Sequence, residues 1–305
     1  LGIGFASPIC FTAVWWTKTE VAGGGLKLLI GLGFVLAAIG IARVANLTLG
    51  FKGLLGFIPA ALTLLLGVVT TEALLRAYQV PTGLIPTPSR VLATLWQTRD
   101  VLLADARQTF LLEAVVGFIV GAVIGLGLAY LFSRFKFLER GLMPYATAFS
   151  SIPIVALAPV VIKMIGLEWP SKAAIVAITV IFPVAVNAFR GLTEVSALSL
   201  DLMRSYGASQ GQQYAALRIP NALPFVFNAL KIGTTLAMIS AIVGEFFGAT
   251  GSGLGFRIQI EAGRFGFDIV WSAIIIASVL GIAWYNLMSW LERRLTGWHV
   301  SFREG

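Results

Sequence analysis

The stretch AVVGFIVGAVIGLGLAYLFS, Ala114–Ser133, contains no Lys, Arg, Asp or Glu in twenty residues. About 20 apolar residues in a helix span the hydrocarbon core of a bilayer, where every backbone polar group must find its partner within the protein. Working outward, Gly53–Thr71, Gly141–Ile162 and Ile269–Leu291 are equally free of formal charge. Ala173–Phe189 is slightly shorter, and Ile232–Gly248 is interrupted only by Glu245 near its end. Leu28–Ala42 is a further candidate, flanked by Lys27 and Arg43, which can snorkel to the interface. Leu1–Thr17 is apolar and uncharged and lacks the basic start and cleavage site of a signal peptide. It is expected to be a spanning helix cut at its start, with a fragment boundary as the alternative. The expected fold class is therefore all-α: a polytopic membrane protein with about eight spans.

Composition agrees. Hydrophobic residues make up 58% of the chain and charged residues 12%, about half the charged share of a soluble domain. The net charge of +8 sits in short loops between apolar stretches, which points to membrane orientation and not to nucleic acid. Arg134, Lys136 and Arg140, then Arg190, Arg204 and Arg218, then Arg293, Arg294 and Arg303 fall on one side if the spans alternate, against Arg90, Arg99, Arg107, Arg257 and Arg264 in the opposite loops; the richer side is read as cytoplasmic. One Cys and one His leave no disulfide within the chain and no His/Cys metal cluster. Cys10 has no partner residue, and His299 lies in a basic tail where solvation is its expected state.

Two connecting segments are patterned. Val80–Arg107 contains IPTPSRVLATLW; Pro86 and Pro88 precede an amphipathic stretch that Ser89 is placed to cap, so a short helix at the outer interface is expected there. The segment RGLTEVSALSLDLMRSYGASQGQQYAALRIPNALP, Arg190–Pro224, is too polar to span. Leu198, Leu202 and Tyr206 recur at helical spacing, Gly207 breaks the pattern, and Ser209 with Gln212 makes a capping box that restarts a helix. Pro220 and Pro224 are expected to close that helix. Helix, Gly turn and short capped helix could simply join two spans; the length and pairing favour a docking surface for another protein.

At this segment the chain resembles the EAA loop of ABC-importer permeases: Glu-Ala-Ala, three residues, Gly, nine residues, then aliphatic-x-aliphatic-Pro. Gly207, Leu217, Ile219 and Pro220 match in register, followed by the run Asn221–Pro224. Asp201, Leu202 and Met203 stand at the first three positions, so the acidic position is kept in kind and both alanines are replaced. LIPTPSRVLATLW, FSSIPIVALAPVVI, IFPVAVNAFRG and AIVGEFFGATGSGLGF are similar, in order, to segments of the nitrate/sulfonate/taurine and thiamine- or riboflavin-precursor branch. The resemblance covers about Phe51–Thr296. It implies a permease core over 51–296 with a coupling segment over 193–220, added N-terminal helices over 1–50 and a cytoplasmic tail over 297–305.

The resemblance further implies a permease homodimer, a separate ATPase subunit that binds the ATP, and an extracytoplasmic substrate-binding protein. The cargo would be a small nutrient, a nitrate-, sulfonate- or taurine-like anion or a vitamin precursor. Asp201, Ser205, Gly207, Ala208, Ser209, Leu217, Ile219 and Pro220 are the expected ATPase-coupling residues. No Walker A sequence occurs, so the chain is expected to be a non-catalytic subunit without a cofactor of its own. GATGSGLGF has glycines but no Lys and follows an apolar span, so a flexible outer loop is expected there.

Within the spans, Gly117, Gly121 and Gly125 repeat every four residues, spacing that lets helices approach closely; packing within the chain is favoured over a dimer seam. Polar residues in apolar spans are costly and are functional candidates. Ser150, Asn187 and Glu245 are the candidates for the substrate path, with helix packing or interface anchoring as the equal alternative for each. The competing class is an ion-coupled secondary transporter. It is disfavoured because no internal repeat is visible and Glu245 is the only acidic residue read as lying well inside a span.

Overall fold

The computed structural model describes residues 57–149, 152–248 and 251–298, with Ile39, Gly40 and Arg43 besides. The expected span at Leu1–Thr17, nearly all of Leu28–Ala42, Cys10, Ser150, Ser151 and His299 lie outside the described residues. The chain divides into two compact units, Leu1–Ala93 and Thr94–Gly305.

In the first unit, helix α1 (Phe57–Ala77) realises the apolar stretch expected from Gly53. Helix α2 starts at Pro88 and runs to Gln97, across the boundary between the units. Pro88 fits the first helical position, where a missing N–H costs nothing. The cap is not Ser89, as the sequence suggested. Glu72 of α1 takes the Ser89 amide at 2.9 Å and the Ser89 hydroxyl at 2.7 Å, while Arg76 Nε donates to Glu72 at 2.6 Å. A carboxylate satisfies an orphan donor of the first turn more strongly than a neutral hydroxyl.

The second unit contains α3 (Arg99–Arg134), α4 (Lys136–Phe149), α5 (Ile154–Ile165), α6 (Trp169–Thr193), α7 (Ala197–Ser205), α8 (Gln210–Gly248), α9 (Leu254–Gly263) and α10 (Phe267–Thr296). Every described element is helical. Among the described residues, five helices are long and apolar enough to cross a membrane: α1, α3, α6, α8 and α10. Gly141–Ile162, expected as one span, is instead divided between α4 and α5. Pro153 holds an extended backbone at the start of α5 (φ −63°, ψ 122°), and proline biases Ile152 away from helix.

Two helices are longer than expected, and both contain π turns. Arg99 and Arg107, read as loop residues, belong to α3, which passes through a π segment at Gln108–Val115. Pro220 and Pro224 do not close a helix: α8 runs through both to Gly248. The π turn at Tyr214–Arg218 supplies the reason. Proline clashes with the carbonyl four residues back; for Pro220 that is Ala216, inside the π turn, and a turn bonded five residues apart directs that carbonyl aside.

Helix α6 is the axis of this unit. Ala114 and Phe118 of α3, Val176, Val180 and Val184 of α6, Ala229, Ala237 and Ala241 of α8, and Trp284 of α10 form one buried cluster. The glycine row of α3 packs within the chain, as favoured from its spacing. A Cβ on Gly121 would lie 2.7 Å from the Ala177 carbonyl, and one on Gly125 2.6 Å from that of Ile181. A groove of about 650 Å³ opens between α8, α9 and α10, lined by Thr235, Ile242, Phe246, Ile258, Ser278 and Tyr285 among others.

Candidate functional site

Two constellations stand at opposite ends of α6 and α8. The first is the polar segment between those helices. Helix α7 carries Leu198, Leu202 and Tyr206 at 80%, 57% and 82% exposure, an apolar stripe that the described chain leaves uncovered. Asp201 pairs with Arg204 at 3.2 Å, and Ser205 Oγ donates to the Leu202 carbonyl at 2.7 Å.

Helix α7 ends in a Schellman turn. The Ala208 amide donates to Met203 and the Gly207 amide to Arg204, at 3.0 and 2.9 Å. Gly207 has φ +68°, the left-handed conformation that a Cβ penalises, and open space surrounds it. Ser209 then caps α8 as its spacing indicated: Gln212 N–H reaches Ser209 Oγ at 3.4 Å, and the Ser209 amide reaches Gln212 Oε1 at 2.8 Å.

Beyond the cap the segment is anchored. Tyr214 donates its hydroxyl to Ser133 Oγ at the end of α3, at 3.0 Å. Arg218 stacks on Tyr214 and donates to the Leu192 carbonyl, and Asn221 Nδ2 donates to Gly191 and Glu194. Leu217 and Pro220 are half-buried and Ile219 is exposed. Thus Asp201, Ser205, Gly207 and Ser209 lie on the open part, and Leu217 and Pro220 on the part packed toward the helices. Tyr214, Arg218 and Asn221 as anchors were missed by sequence reasoning. Their signal was faint: a cation and an amide placed where an α-helix leaves carbonyls unpaired.

The second constellation is a buried polar cluster at the other end. Glu245 of α8 is 1% exposed, and both its oxygens are engaged. Thr109 Oγ donates to Oε1 at 2.7 Å, and the Gly255 amide to Oε2 at 2.5 Å. Thr109 Oγ also accepts from the Leu254 amide at 2.8 Å, and Asp105 Oδ1 from the Gly253 amide at 3.0 Å. Arg257 closes the set on Asp105 Oδ2 at 2.8 Å. The expected flexible loop is thus a clamped one from Gly253 onward.

Glu113, fully buried in the π segment, accepts from Gln108 through Oε1; its Oε2 has no hydrogen-bond partner. Lys172, also buried, donates to the backbone carbonyls of Leu167 and Glu168. Glu245 is therefore not the only acidic residue deep in a long helix. Asp105 and Glu113 were assigned to loop and boundary because the span was started at Ala114, and Glu292 lies buried in α10, paired with Lys231 at 2.7 Å. Asn187 is half-buried, with Nδ2 donating to the Pro183 carbonyl at 2.8 Å; Ser150 lies outside the described residues.

The helical fold agrees with what comparison with known proteins finds. Residues 117–297 match the family described as the binding-protein-dependent transport system inner membrane component. The formylaminopyrimidine transport permease protein ThiX of Halalkalibacterium halodurans is 30% identical over 215 residues, covering 70% of this chain and 86% of that protein. The riboflavin transport system permease protein RibX of Chloroflexus aurantiacus is 30% identical over 245 residues, covering 80% and 90%. The taurine transport system permease protein TauC of Escherichia coli is 28% identical over 209 residues, covering 68% and 72%. Among solved structures, an inward-facing MetNI methionine ABC transporter chain superposes with a TM-score of 0.53 at 24% identity, covering 66% of this chain and 98% of that one; this likeness is one of fold.

A secondary transporter would not carry this family's sequence across three spans and the segment between them. Gly207, the capped start of α8 and the helices that hold them all fall inside the matched region. The chain belongs to the family of binding-protein-dependent transport system inner membrane components, and is the non-catalytic, multi-pass permease subunit of an ABC importer.

Proposed function

We propose that α7 and the Gly207 turn are the surface through which a separate ATPase subunit drives this permease. The observation that carries the reading is the uncovered stripe of Leu198, Leu202 and Tyr206 on a helix otherwise too polar to span. Large apolar side chains left exposed on a short polar helix gain stability only when a partner covers them. Asp201, Ser205, Gly207, Ala208 and Ser209 make the contact. Leu217, Ile219 and Pro220 carry the motion into α8. This end faces the cytoplasm, where the basic residues of the loops and tail collect.

Residues 51–296 form the six-span permease core, the added helices lie before residue 51, and 297–305 is the cytoplasmic tail. Two copies pair around the path, a separate extracytoplasmic binding protein delivers the cargo, and the chain binds no cofactor; ATP stays on the partner. The groove between α8, α9 and α10 is assigned to the path, with Ser150 and Asn187 as further polar residues along it. Glu245 serves it from behind. The cargo is a small nutrient such as a vitamin precursor, a sulfonate or a nitrate- or taurine-like anion; the names of the relatives span the first two classes and taurine.

Cross-linking tests the docking surface. A cysteine at Ser205 should form a bismaleimide adduct with the ATPase subunit in membranes holding both proteins, and a cysteine at Gly127, on the outside of α3, should not. Equal yields from both sites would refute the assignment. The path is tested separately: Ser278→Trp should fill the groove and stop uptake, and full uptake in that variant would refute the groove.

A further inference from the structure

The amides of Gly253, Leu254 and Gly255 are three successive donors at the start of α9, where a helix leaves its N–H groups unpaired. No residue of α9 caps them. Asp105 and Thr109 come from α3 and Glu245 from α8, so two long helices reach across to hold a third. Thr109 sits at the centre, donating to Glu245 and accepting from Leu254. The fit leaves no slack. Gly253 has φ +119°, and a Cβ there would run into the Glu245 carboxylate.

The π segment of α3 contributes directly. Its wider winding brings Thr109 and Glu113 to the buried side of one helix, in the region π turns commonly serve. Within the clamp Leu254 is fully buried against Leu102, Ala106 and Ala273; one turn further on, α9 presents Ile258, which lines the groove beside Ile242 and Phe246. The clamp is thus joined to the groove wall through less than two turns of helix.

We propose that Asp105, Thr109 and Glu245 are positioning residues for transport: from behind, they fix α9 as the wall of the groove at the end opposite the coupling segment. The inference rests on the groove being the substrate path. None of the three touches the cargo. Their hydrogen bonds set where Ile258 stands, and the groove cannot change width there unless the clamp is stretched or released.

The test uses the full importer, permease with its ATPase and binding protein, in proteoliposomes. Thr109→Val keeps the shape of the side chain and removes the hydroxyl, with its hydrogen bonds to Glu245, to the Leu254 amide and to the Asp105 carbonyl; Thr109→Ser keeps them. The valine variant should assemble with the ATPase and hydrolyse ATP at the basal rate, because the clamp and α7 lie at opposite ends of α6 and α8. Its uptake should fall about tenfold, the scale of a buried amide left unpaired, and serine should restore it to within about twofold. A cysteine at Ile258 should react about tenfold faster with a small maleimide in the valine background than in the parent, as expected if the held position is lost.

Unchanged uptake together with unchanged labelling in Thr109→Val would overturn the proposal. So would a serine variant as impaired as valine, or a valine variant that no longer assembles, since either outcome makes the role one of general packing. The labelling does not depend on where cargo passes. A wrong assignment of the path, read from Ser278→Trp, is therefore distinguishable from a clamp that does not position α9.

Discussion

Arg218 Nη1 donates to the carbonyl oxygen of Leu192 at 2.9 Å, joining the start of the long helix α8 to the last turn of α6. Asn221 adds bonds to Gly191 at 2.8 Å and Glu194 at 3.2 Å. The carbonyls at a helix C-terminus lack partners within the helix, and a cation there is favoured by the helix dipole. At Gly191 the two backbones are so close that a Cβ would stand 2.7 Å from Ala222 Cα. A force applied at α7 therefore reaches α6 and α8 together. Under the proposed docking, such a joint would turn a small movement at α7 into a rigid-body movement of packed helices.

Arg218→Ala should leave α7 and the Gly207 turn intact, and with them ATPase association, while loosening this joint. Losing a charged hydrogen bond of this kind costs about 1.5–3 kcal/mol, so the number of substrate molecules carried per ATP should drop by about tenfold. Arg218→Lys, which cannot reproduce the planar stack on Tyr214, should recover only part. Uptake and hydrolysis measured on the same proteoliposomes give the ratio; an unchanged ratio in Arg218→Ala would remove the joint from the mechanism.

The Gly121 and Gly127 positions make a matched pair on α3. A Cβ at Gly121 meets the Ala177 carbonyl and Val180, and at Gly127 it meets nothing within 4 Å. Gly121→Val should cost about 3 kcal/mol or more through overpacking and abolish accumulation in the membrane, whereas Gly127→Val should be tolerated. Immunoblots of membrane fractions decide it, and equal levels for the two variants would show that α3 and α6 do not meet as described.

Much of this was legible in the sequence. Apolar length located the long helices, and glycine spacing marked a face of α3 that packs closely within the chain, because both depend on residue type at fixed intervals. Ser209, Gln212 and Gly207 announced the cap and turn, because caps are local chemistry. What was not legible is non-local. Nothing near Ser89 says that Glu72 caps its helix, and nothing in GATGSGLGF says that Asp105 and Thr109, far back in the chain, hold its amides. The π turns hid in ordinary helical sequence; missing the one at Tyr214–Arg218 made Pro220 look like a terminator. Missing the one at Gln108–Val115 placed Glu113 outside the membrane helix that contains it.

Lys231 and Glu292 show the same limit: two charges 61 residues apart that neutralise each other at 2.7 Å, between α8 and α10. Breaking such a buried pair from one side leaves an uncompensated charge and costs about 3–5 kcal/mol. Lys231→Met alone should strongly lower thermal stability in detergent, and Lys231→Met with Glu292→Leu should regain most of it, since two apolar residues leave no charge stranded. A double variant no more stable than the single one would show that the pair contributes more than mutual neutralisation.

Two substitutions at Gly207 decide whether its turn is where the ATPase grips the permease. Gly207 holds φ +68° in open space, so valine brings bulk and a backbone cost of about 1–2 kcal/mol, while asparagine brings bulk in a conformation it accepts. Both variants should insert at parental levels, because none of the described residues packs on the site. ATPase co-purified per permease should fall sharply in Gly207→Val, with uptake falling alongside, and Gly207→Asn should lie between that and the parent. Parental co-purification and full uptake in Gly207→Val would contradict the claim.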